Sequence, residues 1–157
     1  MVSAQSSIVI VRPVDDVFQF ISVNFFQNYP KWSPEVVELE KLSDGPVKVG
    51  TRGRQVRNDQ GRRTESTFRV TRFEPNHCFS CEGTAQTPFR VIYNFEALDQ
   101  ATKVKFTFEL LKIDFFMRPF EKLIEAAIRG GADRVVHNLK GLLEEEATES
   151  SGSAKRS

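Results

Sequence analysis

At 157 residues the chain is long enough to bury one hydrophobic core and offers no reason to divide into two domains. Its 22 basic and 21 acidic side chains leave a net charge of +1, which excludes a global electrostatic pull toward nucleic acid or an acidic membrane. No stretch approaches the ~20 apolar residues needed to span a bilayer, and residues 1–7 lack the basic start and apolar run of a secretory signal, so the expectation is a cytoplasmic protein.

In chain order, residues 7–11 form a short β-branched run, and Pro13 then stands where a first helical turn tolerates a missing N–H. Val14, Val17, Phe18 and Ile21 follow at helical spacing, with Asp15 and Asp16 at the positive end of the dipole, so the spacing predicts a helix over 13–23. Residues 24–29 read as another short helical turn that ends at Pro30, and Val36, Val37 and Leu39 begin a second strand. Asp44-Gly45-Pro46 is a turn signal, and residues 58–61 read as a hairpin connection into a strand on which Thr64, Ser66, Phe68 and Val70 share one face. Residues 77–83 make a further strand. Phe89, Val91, Tyr93 and Phe95 then alternate with polar-side residues, as do Val104, Phe106, Phe108 and Leu110, the pattern of antiparallel strands covered on one face.

A long helix is predicted from Phe115 to about Glu146, with Phe116, Phe120, Ile124, Ala127, Ile128, Gly131, Val135, Leu139 and Leu142 in its apolar stripe and Lys122, Arg129, Asp133 and Lys140 opposite. At roughly 1.5 Å per residue it would reach about 45 Å, longer than any strand here, so a sheet curving round it is the natural partner, and such a sheet can hold a cavity. Domain organisation follows: one domain over 1–146 and a polar, disordered tail over 147–157. Fourteen phenylalanines against one tryptophan and two tyrosines make an interior with few polar handles, suited to an apolar guest.

In sequence order, residues 8–11, Arg12-Pro13-Val14-Asp15-Asp16-Val17-Phe18, Trp32-Ser33-Pro34, Gly50-Thr51-Arg52, Val70-Thr71-Arg72-Phe73-Glu74-Pro75 and the Leu139-Lys140 to Leu143-Glu144 segment form a set that resembles the START-like (SRPBCC) superfamily, in its polyketide cyclase/dehydrase-like branch. The likeness covers about residues 6–145. It implies an α+β helix-grip fold: a seven-stranded antiparallel sheet wrapped round a long C-terminal helix, with two short helices after the first strand. It also implies a deep pocket for a lipophilic small molecule. The superfamily spans carriers, cyclases and regulators, so the fold alone assigns no activity.

The candidate ligand-binding set comprises Phe89, Tyr93, Phe106 and Phe108 on the sheet wall and Gly131, Val135 and Asn138 on the helix. Asn138 falls near the centre of the stripe, where a buried amide needs a protein or ligand partner. Gly131 either lets a strand residue approach or leaves room for a guest. Arg134, at the stripe edge, reads as a snorkelling, solvent-facing arginine, with contact to an anionic guest as the alternative. Cys78 and Cys81 lie at an offset of three in a strand, which points the thiols to opposite faces and disfavours a disulfide or shared metal. Arg52, Arg54, Arg57, Arg62, Arg63, Arg69 and Arg72 read as a solvated outer sheet face rather than a nucleic-acid surface. No nucleophile motif, phosphate loop or HExxH is present. The expected function is binding of a hydrophobic or amphipathic small molecule such as a lipid, sterol, quinone or polyketide, without cofactor or metal. The alternatives are a cyclase or dehydratase that uses the same cavity, or a regulatory module acting through its surface; the sequence leaves the oligomeric state open.

Overall fold

The computed structural model describes the backbone of residues 1–84 and 88–156 and the side chains through position 146. Seven strands, β1 (Val2–Ile10), β2 (Val36–Lys41), β3 (Arg52–Asp59), β4 (Arg62–Glu74), β5 (Cys78–Thr84), β6 (Phe89–Leu98) and β7 (Ala101–Leu110), form one antiparallel sheet in the order β1-β7-β6-β5-β4-β3-β2. The order is a meander from β2 to β7, closed by β1 on the far edge, because the connections from β3 onward are short. The β3–β4 hairpin turns on Gln60 and Gly61, which take φ of 54° and 87°, and the Asn58 side chain accepts a bond from the Gly61 N–H at 2.9 Å. Two positive φ angles are what a tight hairpin needs to match the strand twist.

Between β1 and β2 lie α1 (Val14–Phe18), a wide π-type turn (Gln19–Val23) and α2 (Phe25–Trp32). The sequence places a break at Pro30, yet α2 runs through it to Trp32. Burial of Trp32 and a 3.2 Å bond from its indole N–H to the Tyr93 hydroxyl anchor the last turn against the sheet. These tertiary contacts outweigh the one backbone bond that a proline removes.

A 3-10 turn (Phe115–Phe120) precedes α3 (Glu121–Arg156). Here the stripe is corrected. Phe116 and Phe120 are exposed, and the buried helix positions are Ala132, Val136, Leu139 and Leu143, with Val135 and Leu142 half-buried beside them. Phe120 ends a tighter turn containing Pro119 and is itself exposed, so counting 100° per residue from it carries the wrong phase into the α-helix. The expected disordered tail over 147–157 falls outside the described side chains.

The core lies on the concave face between the sheet and the helices. Residues of α1, the π-type turn and α2 contribute Val17, Phe18, Ile21, Phe25 and Trp32, while β6 and β7 contribute Tyr93, Phe95, Val104 and Phe106. The helix α3 packs mainly on β1 and β7 and meets α2 along its flank. Toward its C-terminal end it is tied down by polar bonds: Lys140 Nζ donates to the Val9 carbonyl at 2.7 Å, the Val11 N–H donates to Glu144 at 3.0 Å, and Arg12 donates to the Leu143 carbonyl at 2.7 Å. Replacing Leu139 by alanine is expected to cost about 2–5 kcal/mol of unfolding free energy, as for other truncations in packed cores. Phe116→Ala is expected to change it by less than about 0.5 kcal/mol, and urea titration of the two variants distinguishes the buried stripe from the expected one.

Candidate functional site

Burial along the concave face is graded. In β6 and β7 the cross-strand pairs Phe95 with Val104 and Tyr93 with Phe106 are buried, whereas Val91 with Phe108 and Phe89 with Leu110 are half-buried. The same gradient runs along α3, from buried Leu143, Leu139, Val136 and Ala132 to half-buried Gly131, Ile128 and Ile124. The polypeptide leaves β7 at Leu110 and enters α3 through the 3-10 turn, so both gradients open at one end of the molecule. That end carries an incompletely covered apolar surface.

Two glycines shape its floor. A Cβ built on Gly83 would lie 2.1 Å from the Phe89 ring, and one on Gly53 would lie 2.3 Å from the Phe68 ring. Each ring therefore lies flat over the glycine of its neighbouring strand, where a side chain would force it upright. Phe89 also stacks on Phe108, with ring centroids 5.9 Å apart and planes 10° apart, and Phe68 stacks on Phe26 of α2 at 6.0 Å and 16°. The Phe68 ring is covered by Phe26 and buried, whereas the Phe89 and Phe108 rings stay half-buried at the open end.

On the opposite wall, a Cβ at Gly131 would find only the Arg134 guanidinium, 3.8 Å away. Among the described residues no strand side chain lies within 4 Å of that position. Val135 is half-buried and packs at the edge of the core. Asn138 is corrected: it is exposed, and its amide donates to the Trp32 carbonyl at 3.0 Å, which joins α3 to the end of α2. The one-residue change in helix phase moves it from the centre of the stripe to its flank. Phe106 is buried, with its ring 5.0 Å from that of Tyr93, deeper than the half-buried rings of Phe89 and Phe108.

A polar group that sequence reasoning missed sits at the open end of β3 and β4. The Tyr29 hydroxyl donates to Gln55 Oε1 at 2.9 Å and accepts from Arg57 Nη1 at 3.3 Å, while Gln55 Nε2 donates to Ser66 Oγ at 3.2 Å. Arg57 is corrected from the outer face: it shares strand parity with Gly53 and Gln55 and turns toward Tyr29, and it pairs with Asp59 at 3.1 Å. Arg54, of opposite parity, pairs outward with Glu38 and Glu65 as the solvated-face reading expects. Burial opposes the Arg57 charge, but the Tyr29 hydroxyl and the Asp59 carboxylate more than offset it and raise its pKa above the ordinary value. The guanidinium stays charged.

Both tyrosine hydroxyls are pushed up by burial, Tyr93 further than Tyr29, whose shift Arg57 partly offsets. They serve as neutral donors rather than bases. Tyr93 accepts the Trp32 bond, and its own proton has no acceptor among the described residues. Burial likewise pushes up the Cys81 thiol, and Cys78 and Cys81 are both free. His77 and His137 are exposed, and His137 bonds back to the Asp133 carbonyl at 2.7 Å. A separate polar groove of about 260 Å³, lined by Arg12, Asp16, Lys31 and Glu146 among others, lies toward the C-terminal end of α3 and contains none of the predicted site residues.

Because both tyrosines hold their protons more tightly when folded, their contribution to stability is intact below the unfolded value near 10 and is lost as pH rises above it. Tyrosinate absorbance followed through alkaline pH is therefore expected to stay low past that point in the folded protein and to appear together with loss of the circular-dichroism signal. A full two-tyrosine transition at the ordinary value with the fold intact would contradict this burial.

The family model described as "Polyketide cyclase / dehydrase and lipid transport" matches residues 1–144. No curated protein matches the sequence. Among solved structures, the Zhui aromatase/cyclase from Streptomyces sp. R1128 is similar at 15% identity, covering 92% of this chain and 94% of that one with a TM-score of 0.75. A START superfamily protein from Mycobacterium smegmatis is similar at 13% identity, 92% and 99% coverage and a TM-score of 0.72. The di-domain aromatase/cyclase BexL from the BE-7585A biosynthetic pathway is similar at 18% identity, with 92% of this chain and 47% of that one covered and a TM-score of 0.73. At these identities the likeness establishes the fold.

Proposed function

Because the chain belongs to the polyketide cyclase/dehydrase and lipid transport family, we propose that its open end binds an amphipathic small molecule, with an apolar body over the flattened rings and a hydrogen-bond-accepting end toward Tyr29, Gln55 and Arg57. The observation that carries this reading is that, among the described residues, no strand side chain lies within 4 Å of a Cβ built at Gly131, at the end of the molecule where Phe89 and Phe108 are only half-buried. Burial of apolar guest surface supplies affinity at about 25 cal/mol per Å², less the cost of ordering. Orientation comes from the polar group, where the charged Arg57 guanidinium has more N–H donors than its bonds to Tyr29 and Asp59 use and can offer one to a carbonyl or hydroxyl oxygen. Tyr93 and Phe106 form the deeper wall of the same pocket, and Asn138 acts by holding α2 against α3.

Sterols, quinones and aromatic polyketides are the classes to test, by native mass spectrometry of the purified protein and by thermal shift. At least one class is expected to bind. Gly131→Leu separates binding from folding: replacing a mid-helix glycine favours the helix by up to about 1 kcal/mol, while the new side chain fills the open space. Unchanged or higher thermal stability with at least a tenfold loss of affinity is expected. Full affinity in that variant, or no guest and no thermal shift with any class, would remove the reading.

A second reading, a cyclase or dehydratase in the same pocket, is favoured by one observation: the Arg57 to Tyr29 contact places a cation behind a neutral hydroxyl, which on turning its proton from Gln55 to a substrate would polarise a carbonyl and stabilise developing enolate charge. Pre-folding a reactive chain in the pocket would add a proximity effect. On this reading Tyr29→Phe and Tyr93→Phe lower turnover of a poly-β-ketone substrate at least tenfold while guest affinity changes little. Equal turnover in both variants and wild type would leave binding alone.

A further inference from the structure

The segment that joins β7 to α3 carries the largest apolar exposure in the molecule. Phe115 is 74% exposed, Phe116 84% and Leu123 73%, and Met117 and Phe120 are also exposed. Three phenylalanines, a methionine and a leucine thus face solvent within nine consecutive positions of a protein that buries most of its other rings. Isolated exposed apolar residues need no explanation, but a contiguous cluster does. The rings project from a short 3-10 turn, so the surface is a convex tip rather than a groove. Phe115 and Phe116 meet edge to face at 6.0 Å, which holds them splayed.

Three cations and two carboxylates, Asp114 and Glu121, accompany the rings of the tip, a net charge of +1 over residues 112–123. Arg118 lies within it, with its guanidinium 5.8 Å from the centre of the Phe115 ring, and Lys112 and Lys122 flank it. None of the three has an ion-pair partner among the described residues, in contrast to Arg54, Arg57 and Arg90 on the sheet. Long cationic stems beside protruding rings suit a water-lipid boundary, where the rings enter the acyl region and the charges reach back to phosphate. A flat protein partner offers no depth for a convex tip, whereas a bilayer does.

We propose that residues 112–123 form a membrane-docking tip, which inserts Phe115, Phe116 and Phe120 into the surface of a phospholipid bilayer while Lys112, Arg118 and Lys122 contact headgroup phosphates. No helix among the described residues is long and apolar enough to cross a membrane, so the contact made by this tip is interfacial. The surface stands apart from the ligand reading, since it requires only the exposed rings and not a guest.

The test is sedimentation of the full chain with phosphatidylcholine vesicles, with and without phosphatidylserine. Wild type is expected to bind both, more tightly when phosphatidylserine is present. The triple variant Phe115→Ser, Phe116→Ser, Phe120→Ser is expected to lose at least tenfold in partitioning on both vesicles, and the pair Arg118→Glu, Lys122→Glu to lose the phosphatidylserine preference. The altered side chains are exposed, and an unchanged thermal midpoint verifies folding. Met117→Trp gives a direct reading should the triple variant not fold, because its emission is expected to shift blue and to be quenched by bromine-labelled lipid, against a constant background from buried Trp32. Wild type that stays in the supernatant with both vesicles overturns the proposal, as does a tryptophan at 117 that brominated lipid does not quench. It is overturned equally if the triple variant abolishes a dimer seen by light scattering while vesicle binding is unaltered, which would assign the patch to a second copy of the chain.

Discussion

A mismatch of widths governs this structure. Seven strands at about 4.8 Å spacing span about 29 Å before curvature, whereas a helix with its side chains is about 10–12 Å across. One helix cannot cover such a sheet, and α3 packs mainly on the two strands β1 and β7. The remainder of the concave face must find other apolar cover or stay open. At one end the aromatic residues of α1 and α2 supply that cover, and at the other the described residues supply only part of it.

The aromatic cover works as a wedge. Phe25 contacts the rings of Phe26, Tyr29, Trp32, Phe68 and Phe79, so one side chain joins α2 to β4 and β5. Trp32 adds a directional tie through its bond to Tyr93, and Asn138 closes the wedge against α3. The wedge therefore fixes the distance between α2 and the sheet, and with it the position of the Tyr29 hydroxyl against Gln55 and Arg57. Packing at the closed end places the polar group at the open one.

Most strands were legible because one face is more exposed than the other and the alternation survives in sequence as period two. The strand β5, buried on both faces over residues 78–81, was marked instead by the turn before it. Helix phase was less legible. The run from Phe116 to Phe120 has apolar spacing compatible with the helix that follows, and only the proline at 119 marks a turn of different pitch. Counting from Phe120, the exposed last residue of that turn, moved Asn138 into the core and substituted Val135 and Leu142 for Val136 and Leu143. Gly131 and Phe89 entered the candidate set from face and composition alone. Arg57 was not recognised, although a signal existed: it stands three positions after Arg54, so the two cannot share a strand face, and it matches Gln55 instead. Tyr29 was beyond reach, since it joins Gln55 across 26 residues and only the packing of α2 on the sheet brings them together.

The glycines distinguish two kinds of space. Gly53 and Gly83 are occupied from above by rings that a methyl group would displace, so their absent side chains serve packing. Among the described residues Gly130 and Gly131 have no such neighbour, for the side chain within reach of each is Arg134 of the same helix. Each lowers helix stability by roughly 1 kcal/mol relative to alanine, and no close helix-strand contact among the described residues offsets that cost. Such a pair fits the proposed site, where an absent side chain would leave room for a guest near the half-buried rings of Phe89 and Phe108.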